Sequence, residues 1–363
     1  MSLRVGLLTS GGDCQGLNPA MRGVAKGLYE ARDDIEILGF LDGYHGLMFG
    51  NYRRMRPSDF SGILDLGGTI IGTSRQPFKI VHDPLYPDDD ESITRLEAMI
   101  QTYNDLQMDA LVILGGNGTV KTAHLLSENG CNILTLPKTI DNDLWGSEPT
   151  FGFQSAVNIA TRVIDGIHST ASSHGRVFII EIMGHRVGWL ALYSGVASGA
   201  DVILIPEIPY DLKYVMKALN QRRKENKRFS IIVVAEGAIT QEEAKMSKKE
   251  LAEKRAEKNF VSVAYELAHN LNEFMAQEVR VAVPGHYQRG GSPSPFDRLI
   301  TTMIGAHAAE LILEGRFGYM VGIEGMLPVE VPLEDVAGKL KVVDLDNPVI
   351  KAARQTGICF GDM

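Results

Sequence analysis

Cysteine is scarce in this 363-residue chain: Cys14, Cys131 and Cys359 are odd in number and far apart. They offer neither a disulfide frame nor a metal-ligand spacing, so reduced thiols in a cytoplasmic protein are expected. No apolar run reaches the roughly 20 residues of a membrane helix. The N-terminus enters the strand-like run Leu3–Leu8 without a charged n-region or an apolar h-region, so no signal peptide is expected. An excess of positive charge is missing as well. The 36 Lys and Arg stand against 45 Asp and Glu, a net charge of -9. That balance disfavours a nucleic-acid or membrane binder working through a basic stripe. It leaves anionic substrates open, because a local arginine cluster can outvote the net charge. No repeat of solenoid period and no low-complexity linker occurs.

What is present is an ordinary globular balance, 44% apolar and 22% charged, over a length that suggests two domains. Strand-like runs rich in Val, Ile and Leu stand at Arg4–Leu8, Ile35–Phe40, Ala110–Leu114, Ile133–Leu136, Val177–Ile182, Val202–Ile205, Ser230–Ala235 and Val279–Val283. They are apolar on consecutive positions, as strands buried on both faces should be. Helical patterns lie between them, at Pro19–Ala31, Thr119–Ser127, Gln154–Thr170 and Asp211–Glu225. This alternation predicts parallel sheets in a doubly wound α/β fold of two lobes. Asn18 before Pro19 reads as a helix start, a capping side chain followed by a residue with no N–H to satisfy. The Glu/Lys/Ala-rich segment 241–258 reads as a solvated helix with weak ion pairs, rather than a partner-binding helix.

Two glycine-rich turns each follow a strand and open a helix: Thr9–Asn18 (TSGGDCQGLN) and Leu114–Thr119 (LGGNGT). Glycines let backbone approach a ligand, and a helix start offers free N–H groups to an anion. Neither turn is a GxGxxG or Walker motif, and a tight structural turn is the alternative for each. As a pair they point to a polyphosphate held at the carboxyl ends of parallel strands. Leu136–Asp143 (LPKTIDND) follows another strand and carries Lys138, Thr139, Asp141 and Asp143. Two carboxylates there can hold a metal or take a proton from an attacking hydroxyl, although taken alone such a pair more often makes a turn.

These motifs, with Met183–His185 (MGH) and Pro284–Arg298 (PGHYQRGGSPSPFDR), resemble in order and spacing the phosphofructokinases, from the first strand to about Gly325. The resemblance implies phosphoryl transfer from ATP to the 1-hydroxyl of fructose 6-phosphate, the committing step of glycolysis. It implies two doubly wound Rossmann-like α/β lobes with the active site in the cleft between them. Residues 1–152 with about 288–338 would form the larger, ATP-binding lobe. Residues 153–287 with about 339–363 would form the fructose 6-phosphate lobe. By the same resemblance Asp141 is the general base, Thr139 touches the transferring phosphoryl group, and Asp143 supports the Mg²⁺ region. Gly12, Arg75, Gln76, Gly116, Asn117, Gly118 and Thr119 match donor contacts. Arg176, Met183, Gly184, His185, Glu236, Arg280, His286 and Arg289 match the sugar-phosphate site. The counterparts of Arg176 and Arg280 reach in from a neighbouring subunit, so a homo-oligomer, usually a homotetramer, is implied.

Two positions bear on the donor. In pyrophosphate enzymes the glycine turn usually reads GGxD, the acid taking space that the α-phosphate of ATP needs; here the residue is Gly118. Lys138 is the residue found in pyrophosphate enzymes and replaces the glycine of the common bacterial ATP enzymes. Exclusion by an acid is all-or-none and one lysine is graded, so ATP is expected, with pyrophosphate the alternative. Asn117 stands where an acid usually helps to hold Mg²⁺, and His185 where MGR is usual, with Arg186 next to it. A non-catalytic paralogue would explain these two departures but not the intact TIDND and arginine set. Arg22 and Lys26 fit the bacterial effector pattern, whereas His168 replaces an arginine in it.

Overall fold

The computed structural model describes residues 2–89, 91–257, 259–275 and 277–363. Two compact units result, Met1–Ser155 with Arg289–Lys341, and Ala156–Gln288 with Val342–Met363.

The first unit is built on an eight-stranded sheet. Its order is Leu327–Pro332, Tyr319–Glu324, Ile133–Thr139, Ala110–Gly115, Leu3–Thr9, Ile35–Phe40, Tyr52–Met55, with Phe151–Gly152 paired to Ile133–Thr139. The central strands are parallel and buried along nearly their whole length, which is why their sequences show no alternation. Both outer pairs are antiparallel, a departure from the all-parallel expectation. At one edge the chain reverses at Gly325 and Met326, both with positive φ, so Glu324 faces Leu327 in a two-residue hairpin. The core of this unit gathers Leu8, Phe40, Tyr44, Ile113, Leu126 and Met320 around the sheet.

The first helix, Leu17–Ala31, corrects the expected start at Asn18. Gly16, at φ 101°, caps it without a side-chain bond. Asn18 lies inside the first turn and is fully buried. Its amide donates to the carbonyls of Leu66 (2.9 Å) and Gly67 and accepts from the N–H of Ile70. The side chain therefore serves a distant loop, which needs the donors more than the helix does.

The second unit has a four-stranded parallel sheet, ordered Val279–Ala282, Val177–Ile182, Ser230–Ala235, Val202–Leu204. The chain's end rejoins this unit where the N–H of Ile203 donates to the carbonyl of Cys359. Within 241–258, the helix Lys248–Glu257 buries no residue and carries the exposed pair Lys249–Glu253 at 3.8 Å. Such a pair is worth at most about 0.5 kcal/mol. Ser247 and Glu250 cap the helix reciprocally. Lys258 lies outside the described residues.

Candidate active site

In the first unit the two glycine turns and the TIDND loop all leave the carboxyl ends of neighbouring strands. The parallel pairing of Leu3–Thr9 with Ala110–Gly115, and of the latter with Ile133–Thr139, brings them together. The helix Asn117–Glu128 starts at Gly116, again with no side-chain cap. An uncapped helix N-terminus at a strand end is an arrangement suited to anions; that of Leu17–Ala31 is buried against Phe151 and Thr301. Gly118 is exposed, and a Cβ built there would meet nothing within 4 Å. Thr119 is buried, its carbonyl taking a hydrogen bond from the Tyr44 hydroxyl at 2.9 Å.

Positive charge converges on the first turn. Lys138 is buried, and its Nζ donates to the carbonyl of Gly12. Burial, reinforced by Arg289, pulls its pKa below the usual lysine value, while Cys14, Asp141 and Asp13 pull upward. Arg289, expected with the sugar-phosphate residues, lies in this unit. It donates to the Asp13 carbonyl at 3.0 Å, against Gly12. The segment holding Arg75 is stitched to the same turn: Gly11 N–H donates to the Ser74 carbonyl and Thr73 Oγ1 to that of Gly11. Arg75 is exposed, and Gln76 reaches back toward Met48 Sδ. Cys14, enclosed below the turn, is pushed up to about 12 by burial and stays a thiol.

The Asp141 N–H donates to Thr139 Oγ1 at 3.1 Å, which couples the two predicted residues. Asn142 follows at φ 54°, and its buried Oδ1 accepts from the Thr150 N–H (3.0 Å) and Lys341 Nζ (2.7 Å). Asp143 is buried. Asn117 donates through Nδ2 to the Lys339 carbonyl at 2.9 Å, which leaves its amide oxygen as the group a metal could use. Among the described residues no cluster of three acids, histidines or cysteines could hold a metal ion.

In the second unit, Glu236 organises the MGH turn. Its Oε1 accepts from the N–H groups of Gly184 (3.2 Å) and His185 (2.6 Å). His185 sits at φ 53° with its side chain exposed. The Met183 N–H donates to Gln288 Oε1, and His286 lies exposed on the short helix Gly285–Arg289. A cavity of about 450 Å³ is lined by Glu181, His185, Glu236, Arg255 and Glu266. Arg176 and Arg280 both bind Glu278. Of the effector-like residues, Arg22 and Lys26 lie on the helix Leu17–Ala31, and His168 packs edge-on against Phe229.

The phosphofructokinase family model matches residues 4–312. The chain belongs to this family. It is 53% identical to an ATP-dependent 6-phosphofructokinase of Spirochaeta thermophila, over 98% of this chain and 97% of that one. It is 45% identical to ATP-dependent 6-phosphofructokinase 3 of Bacteroides thetaiotaomicron, over 99% and 100%. Among solved structures it resembles phosphofructokinase from Saccharomyces cerevisiae (TM-score 0.77, 29% identity, 92% of this chain and 45% of that one). It shares the fold of a pyrophosphate-dependent phosphofructokinase from Nitrosospira multiformis (TM-score 0.81, 19% identity, 99% and 92%).

Several residues in contact with the candidate site's surroundings were not singled out in the sequence. Arg255, on the segment read as a solvated face, donates to the Ala238 carbonyl at 2.8 Å and lines the Glu236 cavity. Glu278, shared by the two arginines, lies just before the strand Val279–Ala282 that carries Arg280. Asp297 closes the PSPFDR motif as a buried carboxylate accepting from Gly152, Ser155 and Ser294. Nothing local marks Asn142 or Lys341.

Proposed function

We propose that this chain transfers the γ-phosphoryl group of ATP to the 1-hydroxyl of fructose 6-phosphate, giving fructose 1,6-bisphosphate at the committing step of glycolysis. One observation carries the choice of donor. The space beyond Gly118 is open, where an acid would repel and displace the α-phosphate. The names of the relatives, ATP-dependent in both cases above, support the same reading.

Asp141 takes the proton of the sugar hydroxyl as that oxygen attacks phosphorus in line, a contribution of about 10²–10⁴ in rate. Thr139 and Arg75 meet the charge spreading over the transferring oxygens. The Gly12 and Gly116–Thr119 turns offer backbone N–H groups to the donor phosphates, with Lys138 and Arg289 supplying positive charge behind Gly12. A nucleotide-bound Mg²⁺ would need few oxygens from protein, so the amide oxygen of Asn117 and the carboxylate of Asp143 are the groups that would hold it, and it would supply positive charge to the transferring phosphate. Arg176, Arg280, His286 and the MGH turn, held by Glu236, bind the sugar phosphate, guanidinium forks matching a phosphate dianion. Arg176 and Arg280 serve a neighbouring copy in a cytoplasmic homo-oligomer.

Lys138 favours a second reading, pyrophosphate as donor. Parallel assays of fructose 1,6-bisphosphate formation with Mg²⁺ and either ATP or pyrophosphate decide between them. Turnover with ATP alone is expected. Turnover with pyrophosphate alone overturns the donor assignment, and binding of fructose 6-phosphate without turnover in either assay reveals a non-catalytic protein.

A further inference from the structure

We propose that Lys341, the last residue of the first unit, is a positioning residue that sets the direction of Asp141 by holding the loop after it. The proposal rests on the reading of Asp141 as the base. Its Nζ donates to Asn142 Oδ1 (2.7 Å), the Ser147 carbonyl (2.6 Å) and the Glu148 carbonyl (2.7 Å). Three converging acceptors match the three donors of one ammonium group. The backbone is joined too: Lys341 N–H donates to the Asp143 carbonyl at 2.9 Å, and Leu340 bridges to Leu144. One side chain therefore ties together both flanks of the loop 141–148.

The point of attachment matters more than the number of bonds. Asn142 adopts a left-handed backbone between the two aspartates. Its Oδ1 is shared by Lys341 and the Thr150 N–H, and Thr150 Oγ1 in turn donates to the Thr139 carbonyl at 2.7 Å. The chain of bonds from Lys341 thus reaches Asn142, next to Asp141, and Thr139, two residues before it. Without the ammonium, two backbone carbonyls and the Asn142 amide oxygen lose a donor, and the loop can rotate to find water. A displacement of about 1 Å at a reacting group can cost about 100-fold in rate.

Lys341 also lines a cavity of about 470 Å³ with Trp145, Glu148 and Val331. Trp145 lies on the tethered loop and is half exposed, so its fluorescence reports loop order without reference to activity. The only other tryptophan is Trp189, replaced by Phe for this purpose.

The experiment compares Lys341→Met and Lys341→Arg with the parent, scaling kcat to the folded fraction. Positioning predicts a fall in kcat of about 10- to 100-fold with KM for fructose 6-phosphate within about twofold, and easier iodide quenching of Trp145. Should the Met variant not fold, the Arg variant decides. It keeps the charge, but a planar fork cannot aim at three converging acceptors, so kcat still falls while stability holds. A kcat within about twofold of the parent per folded enzyme, or unchanged quenching, overturns the proposal. Asp141→Asn run alongside separates the two claims: if it retains turnover, the base assignment fails, while Trp145 still reports whether Lys341 orders the loop.

Discussion

At the scale of single residues, the roles proposed for Asp141 and Gly118 are separable and would fail differently. Asp141→Asn keeps size and most polarity but cannot accept a proton. Its kcat should fall by about 10²–10⁴ with KM for fructose 6-phosphate little changed, as steady-state kinetics with the purified variant would read. An unchanged kcat would remove Asp141 from the mechanism. Gly118→Asp adds a carboxylate to a space free of protein atoms within 4 Å, so the fold tolerates it and the nucleotide does not. Its KM for ATP should rise by at least about tenfold, since like charges brought together in a site cost several kcal/mol, while thermal unfolding stays close to the parent. If ATP kinetics do not move, the open space beyond Gly118 is not the phosphate site. These two positions could be singled out in the sequence because each lies in a short motif directly after a buried apolar run, and the family resemblance suggested a role for each. Asn142, Lys341 and Asp297 could not, because their roles are hydrogen bonds across long stretches of chain, such as Lys341 to Asn142 and Asp297 to Gly152.

Elements raise the question of what fixes these motifs in place. Asp297, in the first turn of the helix Pro295–Glu314, accepts from backbone or side-chain donors on Gly152, Ser155 and Ser294. It joins that helix to the start of Phe153–His174. Burial raises its pKa above the ordinary 3.8, against the lowering effect of its hydrogen bonds. The folded chain therefore holds this proton more tightly than the unfolded chain, so the group's contribution to stability is full below about 3.8 and is lost as pH rises through the folded value. Asp297→Asn has no such slope. The variant should be less stable by roughly 1–3 kcal/mol, since one oxygen can no longer accept, and the gap should narrow as pH rises from about 4. Denaturant midpoints across that range measure it; a gap that widens instead means the carboxylate is stabilised as the anion. Element reading from sequence succeeded where strands are buried on both faces and missed Tyr52–Met55 and the Tyr319–Pro332 hairpin. Tyr52–Met55, with exposed arginines, and Leu327–Pro332, with prolines, are edge strands, and edges need no continuous apolar run. Tyr319–Glu324 is paired on both sides and buried, and its apolar run is short and broken by Gly322.

For the whole molecule, the arginines of the second unit pose the remaining problem. The chain carries a net charge of -9, so a sugar phosphate must be captured by local positive charge. Arg280 lies on the edge strand of its sheet and is about half exposed, with Glu278 beside it drawing in Arg176 as well. Whether these two guanidiniums serve another copy of the chain, as proposed, is open to a direct test. Complementation provides it. Asp141→Asn and Arg280→Ala are each expected to be nearly inactive, one for want of a base and the other for want of a phosphate contact. If Arg280 completes a neighbour's site, a hybrid pair has one site with both defects and one with neither. Equal mixing with subunit exchange should then restore about a quarter of parental activity, because about half of the pairs are hybrids and half of their sites are whole. If each chain uses its own Arg280, every site keeps one defect and mixing restores nothing. The recovered fraction therefore reports whether the site belongs to one chain or two.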